Sequence, residues 1–173
     1  MKFQAAYEEC KDSVYAYLVY MTRDAKLAED LSQETFLRMF LHMNKFRGES
    51  GVKTWALAIA RNVFLTYARK KQPMLMEEMP LDLEQGSFAG HALSTSVSPE
   101  EQVLKQEKEK QVWECLQCLG EQDRTALLLR DYEQLSYEDI AKILSISLEA
   151  VKSRIYRARQ KFKKVYTEHF EEE

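Results

Sequence analysis

LSYEDIAKILSISLEAVKSRIYRARQKFKK, residues 135–164, reads as two helices joined by a tight turn. Ser136-Tyr137-Glu138-Asp139 has the form of a capping box, with Asp in the usual Glu or Gln position, so a helix is expected to begin after Ser136. Ile140, Ala141 and Leu144 give that helix an apolar face. Ser145-Ile146-Ser147 is a short turn, and Ser147 is a suitable N-cap for the next helix. Val151, Ile155, Ala158, Phe162 and Val165 follow at helical spacing and fall in a single stripe. The small Ala141 is expected where the two helices cross, with Ile146, Val151 and Ile155 closing the corner.

Charge sets the use of the second helix. Between Val151 and Lys164 it carries seven cations, Lys152, Arg154, Arg157, Arg159, Lys161, Lys163 and Lys164, and no acid. Solvated helices normally mix both signs, because opposite charges four residues apart stabilise them. A row of like charges costs self-repulsion that a polyanion relieves. In a helix-turn-helix the second helix enters the major groove of duplex DNA and its first turns meet base edges. Ser147 caps those turns, and the residues placed at the edges are Leu148, Glu149, Lys152, Ser153 and Tyr156. Arg154, Arg157, Arg159 and Lys161 are expected along the flanking phosphates.

Around this motif the chain is helical in character. It has 173 residues, 45% apolar and 31% charged, with five Gly and three Pro, a balance that favours an all-α fold over sheet or disorder. The formal net charge of −3 does not argue against nucleic acid, because the charge is segregated. The three Cys are an odd number, and MKFQAAYEEC at the start lacks the apolar stretch of a signal peptide. No run approaches the ~20 apolar residues of a membrane span. These features suggest a soluble, cytoplasmic chain with no membrane insertion. Helical periodicity fails from Gln72 to Pro99, where Pro, Gly and Ser recur. The division expected is a helical unit over residues 1–72, a flexible linker over 73–99, and a second helical unit over 100–173.

Two faces of the first unit suggest binding. On the segment LAEDLSQETFLRMF, residues 27–40, and its continuation, Asp30, Gln33, Glu34, Leu37 and Leu41 share about 100° of arc, while Leu31, Phe36, Met39 and Met43 point elsewhere, toward a core. A face of acid, amide and leucine suits recognition of another helix. In FRGESGVKTWALAIARNVFLTYARKK, residues 46–71, no acid occurs after Val52. Trp55, Asn62, Thr66 and Arg69 share one side, and Ala56, Ala60, Val63, Phe64 and Tyr67 another. With Lys53, Thr54, Arg61 and Lys70, the first side joins cations, an amide and an aromatic ring, a combination that holds single-stranded nucleic acid. The Gly48–Gly51 loop beside it has room for an unstacked base.

Residues 135–163 are similar to the promoter-binding C-terminal region of extracytoplasmic-function sigma factors of bacterial RNA polymerase. Glu121-Gln122-Asp123-Arg124 and Leu127-Leu128-Leu129-Arg130-Asp131-Tyr132 resemble the same family, as do residues 27–40 and 46–71. The resemblance implies that the helix-turn-helix reads the "minus thirty-five" promoter element. Asp30, Gln33, Glu34, Leu37 and Leu41 would grip the polymerase clamp coiled coil, with the flap as a further contact. The loop and helix from Gly48 would capture the non-template strand of the "minus ten" element as the duplex opens. It also implies a membrane-bound anti-sigma partner and a place in stress response. Two departures stand out: Ser145 where the family often has Gly, which suggests modest local strain, and Gly120 where Pro is common, so that the preceding helix would end differently.

Two other functions fit parts of the pattern. A helix-turn-helix regulator acting on duplex DNA without polymerase would not need the acid-free helix of Trp55 and Arg69. An enzyme acting on nucleic acid would need carboxylates or a nucleophile in a constellation that is not seen, so no catalytic residue is assigned. Cys115-Leu116-Gln117-Cys118 lacks the second ligand pair of a zinc site, and His42, His91 and His169 are scattered; no metal or cofactor is expected.

Overall fold

The computed structural model describes residues 2–71 and 98–170, and all regular structure in them is helical. The linker expected over 73–99, except Ser98 and Pro99, lies outside the described residues with its acids Glu77, Glu78, Asp82 and Glu84, as does the tail Glu171–Glu173.

The first unit packs three helices, α1 (Phe3–Thr22), α2 (Ala25–His42) and α3 (Val52–Lys71). The α1–α2 corner forms because Arg23 takes the left-handed conformation (φ 62°) and the Asp24 carboxylate accepts from the backbone N–H groups of Lys26 and Leu27. Tyr17, Leu18, Met39 and Leu57 are its largest fully buried apolar side chains. Ser32 and Thr35 are tolerated inside α2 because each hydroxyl donates to the carbonyl four residues earlier. Between α2 and α3, Gly48 has φ +71° in otherwise open space, so glycine is needed there for backbone conformation.

The second unit comprises α4 (Pro99–Gln117), α5 (Glu121–Leu127), α6 (Tyr137–Leu144) and α7 (Leu148–Phe170). At the start of α4, Ser98 and Glu101 form a reciprocal capping box. Its other end is closed by Arg124, whose guanidinium donates to the carbonyls of Leu116, Gln117 and Leu119 at 2.9–3.2 Å. That is how α4 ends before Gly120, which itself caps α5. Burial lowers the Arg124 pKa to about 10, which leaves it charged at neutral pH. α5 runs into one π turn, Leu128–Tyr132, where the Glu133 N–H reaches back to the Leu128 carbonyl.

The helix-turn-helix forms at the expected caps. The Ser136 Oγ accepts from the Asp139 N–H at 3.1 Å and the Ser147 Oγ from the Ala150 N–H at 3.1 Å. The stripe on α7 is buried at Val151, Ile155 and Ala158 and half-buried at Phe162 and Val165. Ser145 sits in the left-handed region (φ 56°, ψ 43°), where an L side chain crowds its own backbone.

The two units also pack against each other. The buried Tyr17 hydroxyl meets the Thr125 hydroxyl at 3.0 Å, and Gln117 bridges the Arg23 side chain and the Tyr20 carbonyl. Tyr20 and Tyr132 meet edge to face at 5.7 Å. Buried apolar residues of both units also join in one hydrophobic cluster. A tether between two separate units does not by itself anticipate this seam, because its partners lie 94 to 108 residues apart in the chain.

Cys10 and Cys115 are buried and Cys118 is half-buried, all as free thiols. Burial pushes Cys10 and Cys115 up to about 11. At pH 8 such a thiol is about one part in a thousand thiolate, against roughly a quarter for an unhindered one. Alkylation of Cys10 and Cys115 by iodoacetamide should therefore be slow in the native chain and fast after denaturation, as followed by mass spectrometry. Ser145→Gly should raise stability by about 0.5–1 kcal/mol, the left-handed strain relieved less the entropy cost of glycine, read as a higher unfolding temperature.

Candidate nucleic-acid and protein interfaces

The phosphate-binding cations expected on α7 divide into two groups. Arg154 donates to Asp123 at 3.1 Å, and Lys161 reaches the other oxygen of the same carboxylate at 2.9 Å. Arg159 pairs with Asp131 at 2.5 Å, and that carboxylate holds the guanidinium ionised. Arg154, Arg159 and Lys161 thus share two carboxylates, Asp123 of α5 and Asp131 of the π turn, and the Arg159 and Lys161 side chains stay open to solvent while Arg154 is largely covered. The acid-free run in α7 hides this, because the partners lie about 30 residues earlier in the chain.

Lys152, Ser153, Tyr156 and Arg157 remain and together line one open depression. Tyr156 is 66% exposed, although a tyrosine in a packed helix would bury its ring. Lys152 makes only a long 3.6 Å contact with Glu149, itself exposed, and Arg157 donates to the Ser153 carbonyl at 3.4 Å. Leu148 is half-buried at the first turn, and the Ser147 hydroxyl is used in capping. The open surface thus lies on the second and third turns of α7, with two cations, a hydroxyl and an aromatic ring.

The candidate strand-binding residues of α3 also divide by face. Asn62, Arg69 and Lys70 are exposed and Thr66 is half-buried, its hydroxyl turned back to the Asn62 carbonyl. Trp55 is half-buried and packs on Phe46 with ring centroids 4.8 Å apart. Thr54 and Arg61, by contrast, are buried. Arg61 forks onto Glu121 at 2.9 and 3.3 Å and donates to the Ile143 carbonyl, while Lys53 reaches Glu133 at 2.5 Å. Lys53 and Arg61 therefore face the second unit and Thr54 is buried, whereas Asn62, Arg69 and Lys70 are open to solvent and Trp55 and Thr66 are half-buried.

On α2, Asp30 and Gln33 are exposed and Glu34 pairs with Arg38 at 2.7 Å. Leu37 and Leu41 are 53% and 61% exposed, and Phe40 at 59% completes a contiguous apolar patch, backed by Phe3 in an edge contact. The sequence pattern does not single out Phe40; its one signal is the position three residues after Leu37. Leu31 and Met39 are buried and Phe36 is half-buried against Tyr7, as their spacing implies.

Among the described residues, no group of three or more His, Cys, Asp or Glu could hold a metal ion, and no helix is long and apolar enough to cross a membrane.

Residues 6–73 match the family described as Sigma-70 region 2, and residues 109–162 match Sigma-70, region 4. The chain is 39% identical over 150 residues to the RNA polymerase sigma-H factor of Pseudomonas aeruginosa, covering 85% of this chain and 77% of that protein. To the ECF RNA polymerase sigma factor SigM of Bacillus subtilis it is 34% identical over 168 residues, covering 96% of each. Among solved structures it resembles the sigma factor RpoE in complex with the anti-sigma factor NepR from Bartonella quintana, with a TM-score of 0.72 at 24% identity over 94% of this chain and 95% of that one. CnrH in complex with the cytosolic domain of CnrY gives a TM-score of 0.69 at 16% identity over 96% and 88%. Two region matches in order, an alignment over nearly the whole of a named relative and an all-helical fold like that of a solved neighbour place the chain in the extracytoplasmic-function group of RNA polymerase sigma factors.

Proposed function

We propose that the chain binds core RNA polymerase and directs it to specific promoters, with residues 1–72 engaging the polymerase and the "minus ten" element, 100–173 engaging the "minus thirty-five" element, and 73–99 joining them. The observation that carries this is the pairing of two open cationic surfaces, one on α7 and one on α3, with a separate exposed patch of Leu37, Phe40 and Leu41. A regulator acting on duplex DNA alone needs only the first. The relatives from Pseudomonas aeruginosa and Bacillus subtilis both carry the name of an RNA polymerase sigma factor, which supports the reading further.

On α7, Lys152, Ser153, Tyr156 and Arg157 approach base edges and adjacent phosphates, with Leu148 and Glu149 at the groove entrance. Arg154, Arg159 and Lys161 act mainly through the packing of α7 on α5. On α3, Asn62, Arg69 and Lys70 hold the backbone of the separated strand, and Trp55 offers a stacking edge next to the Gly48–Gly51 loop. Unstacking a base step costs on the order of a few kcal/mol, which capture of the base must offset. On α2, Asp30, Gln33, Leu37, Phe40 and Leu41 meet a helix of the polymerase clamp, with the flap as a second contact for the C-terminal unit. An anti-sigma factor is the regulatory partner; both solved neighbours are titled as complexes, RpoE with an anti-sigma factor and CnrH with a cytosolic domain of CnrY. Nothing in this mechanism asks the chain to make or break a covalent bond.

Run-off transcription with purified core polymerase and a promoter library tests the reading as a whole: new start sites are expected, and their absence would reject it. Lys152→Ala with Arg157→Ala should reduce the slope of log affinity against log salt by about two, one for each phosphate no longer neutralised, whereas Arg154→Ala should mainly lower thermal stability. Trp55→Ala with Asn62→Ala should preserve polymerase association and reduce permanganate reactivity of the promoter; undiminished reactivity would remove α3 from strand capture.

A further inference from the structure

The two acids that meet the cations of α7 are placed differently. The Asp123 side chain is 14% exposed and holds Arg154 and Lys161 at once. Asp131, on the π turn, is 46% exposed and among the described residues pairs with Arg159 only, itself 49% exposed. Its neighbour Arg130 is committed elsewhere, donating to the Leu135 carbonyl at 2.8 Å with its guanidinium 4.5 Å from the centre of the Tyr137 ring. The Asp131 pair is bidentate: Arg159 Nε donates to Oδ2 at 3.1 Å and Nη2 to Oδ1 at 2.5 Å. A forked pair of this kind is the exposed ion pair that persists, because the planar guanidinium is already shaped for it.

Arg159 also belongs to the open face. Lys152, Tyr156, Arg159 and Lys163 follow at i, i+4, i+7 and i+11, all exposed, and form one row about 16 Å long. The first two line the depression proposed to enter the groove. Because Nε and Nη2 serve Asp131, the Nη1 side of the guanidinium keeps its donors for a second oxyanion. Charge acts differently from these donors. The formal charges of Arg159 and Asp131 sum to zero, so beyond a Debye length of about 8 Å the pair draws no polyanion. A phosphate already in contact can still accept a hydrogen bond from Nη1. Arg159 therefore adds to a helix seated in the groove and adds little to one held loosely by charge.

We propose that Asp131 is a specificity-determining positioning residue: it holds Arg159 ready to bond one phosphate beside the correctly seated helix, while withholding the charge of Arg159 from every other duplex. This deepens the reading of α7 as the groove-entering helix and rests on it. Specificity is a difference between affinities, and an acid that lowers attraction to wrong sequences raises that difference as surely as a new contact to the right one.

The test uses the full-length chain with core polymerase and two labelled duplexes, one carrying a start site found by run-off transcription and one with its upstream element scrambled. Affinities are measured by anisotropy across a salt series. Asp131→Asn should tighten binding to the scrambled duplex about fivefold and steepen its salt slope by about one, because Arg159 is then an unpaired cation. Binding to the intact duplex should change by less than about twofold, since Arg159 gains charge and loses its fixed orientation, so the ratio of the two affinities falls. Asp131→Glu keeps the carboxylate and should stay near the wild type. Glu107→Gln makes the same charge change on the exposed part of α4 and should move neither duplex. Asp131→Asn with Arg159→Gln leaves the net charge as it was; it should spare the scrambled duplex and weaken the intact one about fivefold. This double variant also serves if Asp131→Asn alone disturbs folding by circular dichroism. Unchanged scrambled-duplex binding in Asp131→Asn, or an equal rise on both duplexes, overturns the inference, as does a double variant that binds the intact duplex like the wild type. Lys152→Ala with Arg157→Ala separates the premises: a wild-type affinity ratio there overturns the reading of α7 itself, whatever Asp131 does.

Discussion

A helix with seven cations in fourteen residues repels itself, and the second unit is arranged around relieving that repulsion. Asp123 accepts from both Arg154 and Lys161, and Asp131 takes Arg159, so two carboxylates of α5 and the π turn offset part of the charge on one side of α7. Asp123 is largely shielded from water, where a carboxylate between two cations is screened less than on an open surface. These pairs fix the rotation of α7 about its axis. Val151, Ile155 and Ala158 then turn inward, and Lys152, Ser153, Tyr156 and Arg157 are left facing out. The open surface of Lys152, Ser153, Tyr156 and Arg157 is what those pairs leave uncovered on this part of the cationic helix.

What can be read from the chain alone is local. Ser136 and Ser147 reveal themselves as caps because their partners lie three residues away, and the α7 stripe shows because burial repeats with the helical turn. The all-helical fold and its two units follow from the same short-range signals. Arg61 and Arg154 are harder. Both are arginines in acid-free runs, which is how a nucleic-acid contact looks, yet each is paired with an acid from another helix. A helical wheel gives the face of a residue and leaves open what lies opposite. Phe40 escapes for a related reason: an aromatic residue in an amphipathic helix is usually core, and only the packing shows this one at the surface.

The seam joins residues far apart in the chain through polar pairs set beside a shared apolar core. Tyr17 and Thr125 join in a buried hydroxyl pair, and Gln117 satisfies both Arg23 and a backbone carbonyl. Burial still desolvates Tyr17 and Arg23, and the partner that each group finds inside offsets part of that cost.

The π turn at Leu128–Tyr132 holds one residue more than an α-helical turn, and everything after it is rotated accordingly. Tyr132 and Glu133 thereby face the first unit, while Asp131 still faces α7. One surplus residue lets three consecutive positions, Asp131, Tyr132 and Glu133, address two neighbours on opposite sides. In evolutionary terms, that makes the length of this segment a coarser control than its composition: losing a single codon would swing Tyr132 and Glu133 off the first unit, while the contacts of Gln117, Glu121 and Thr125, encoded before the turn, would stay in place.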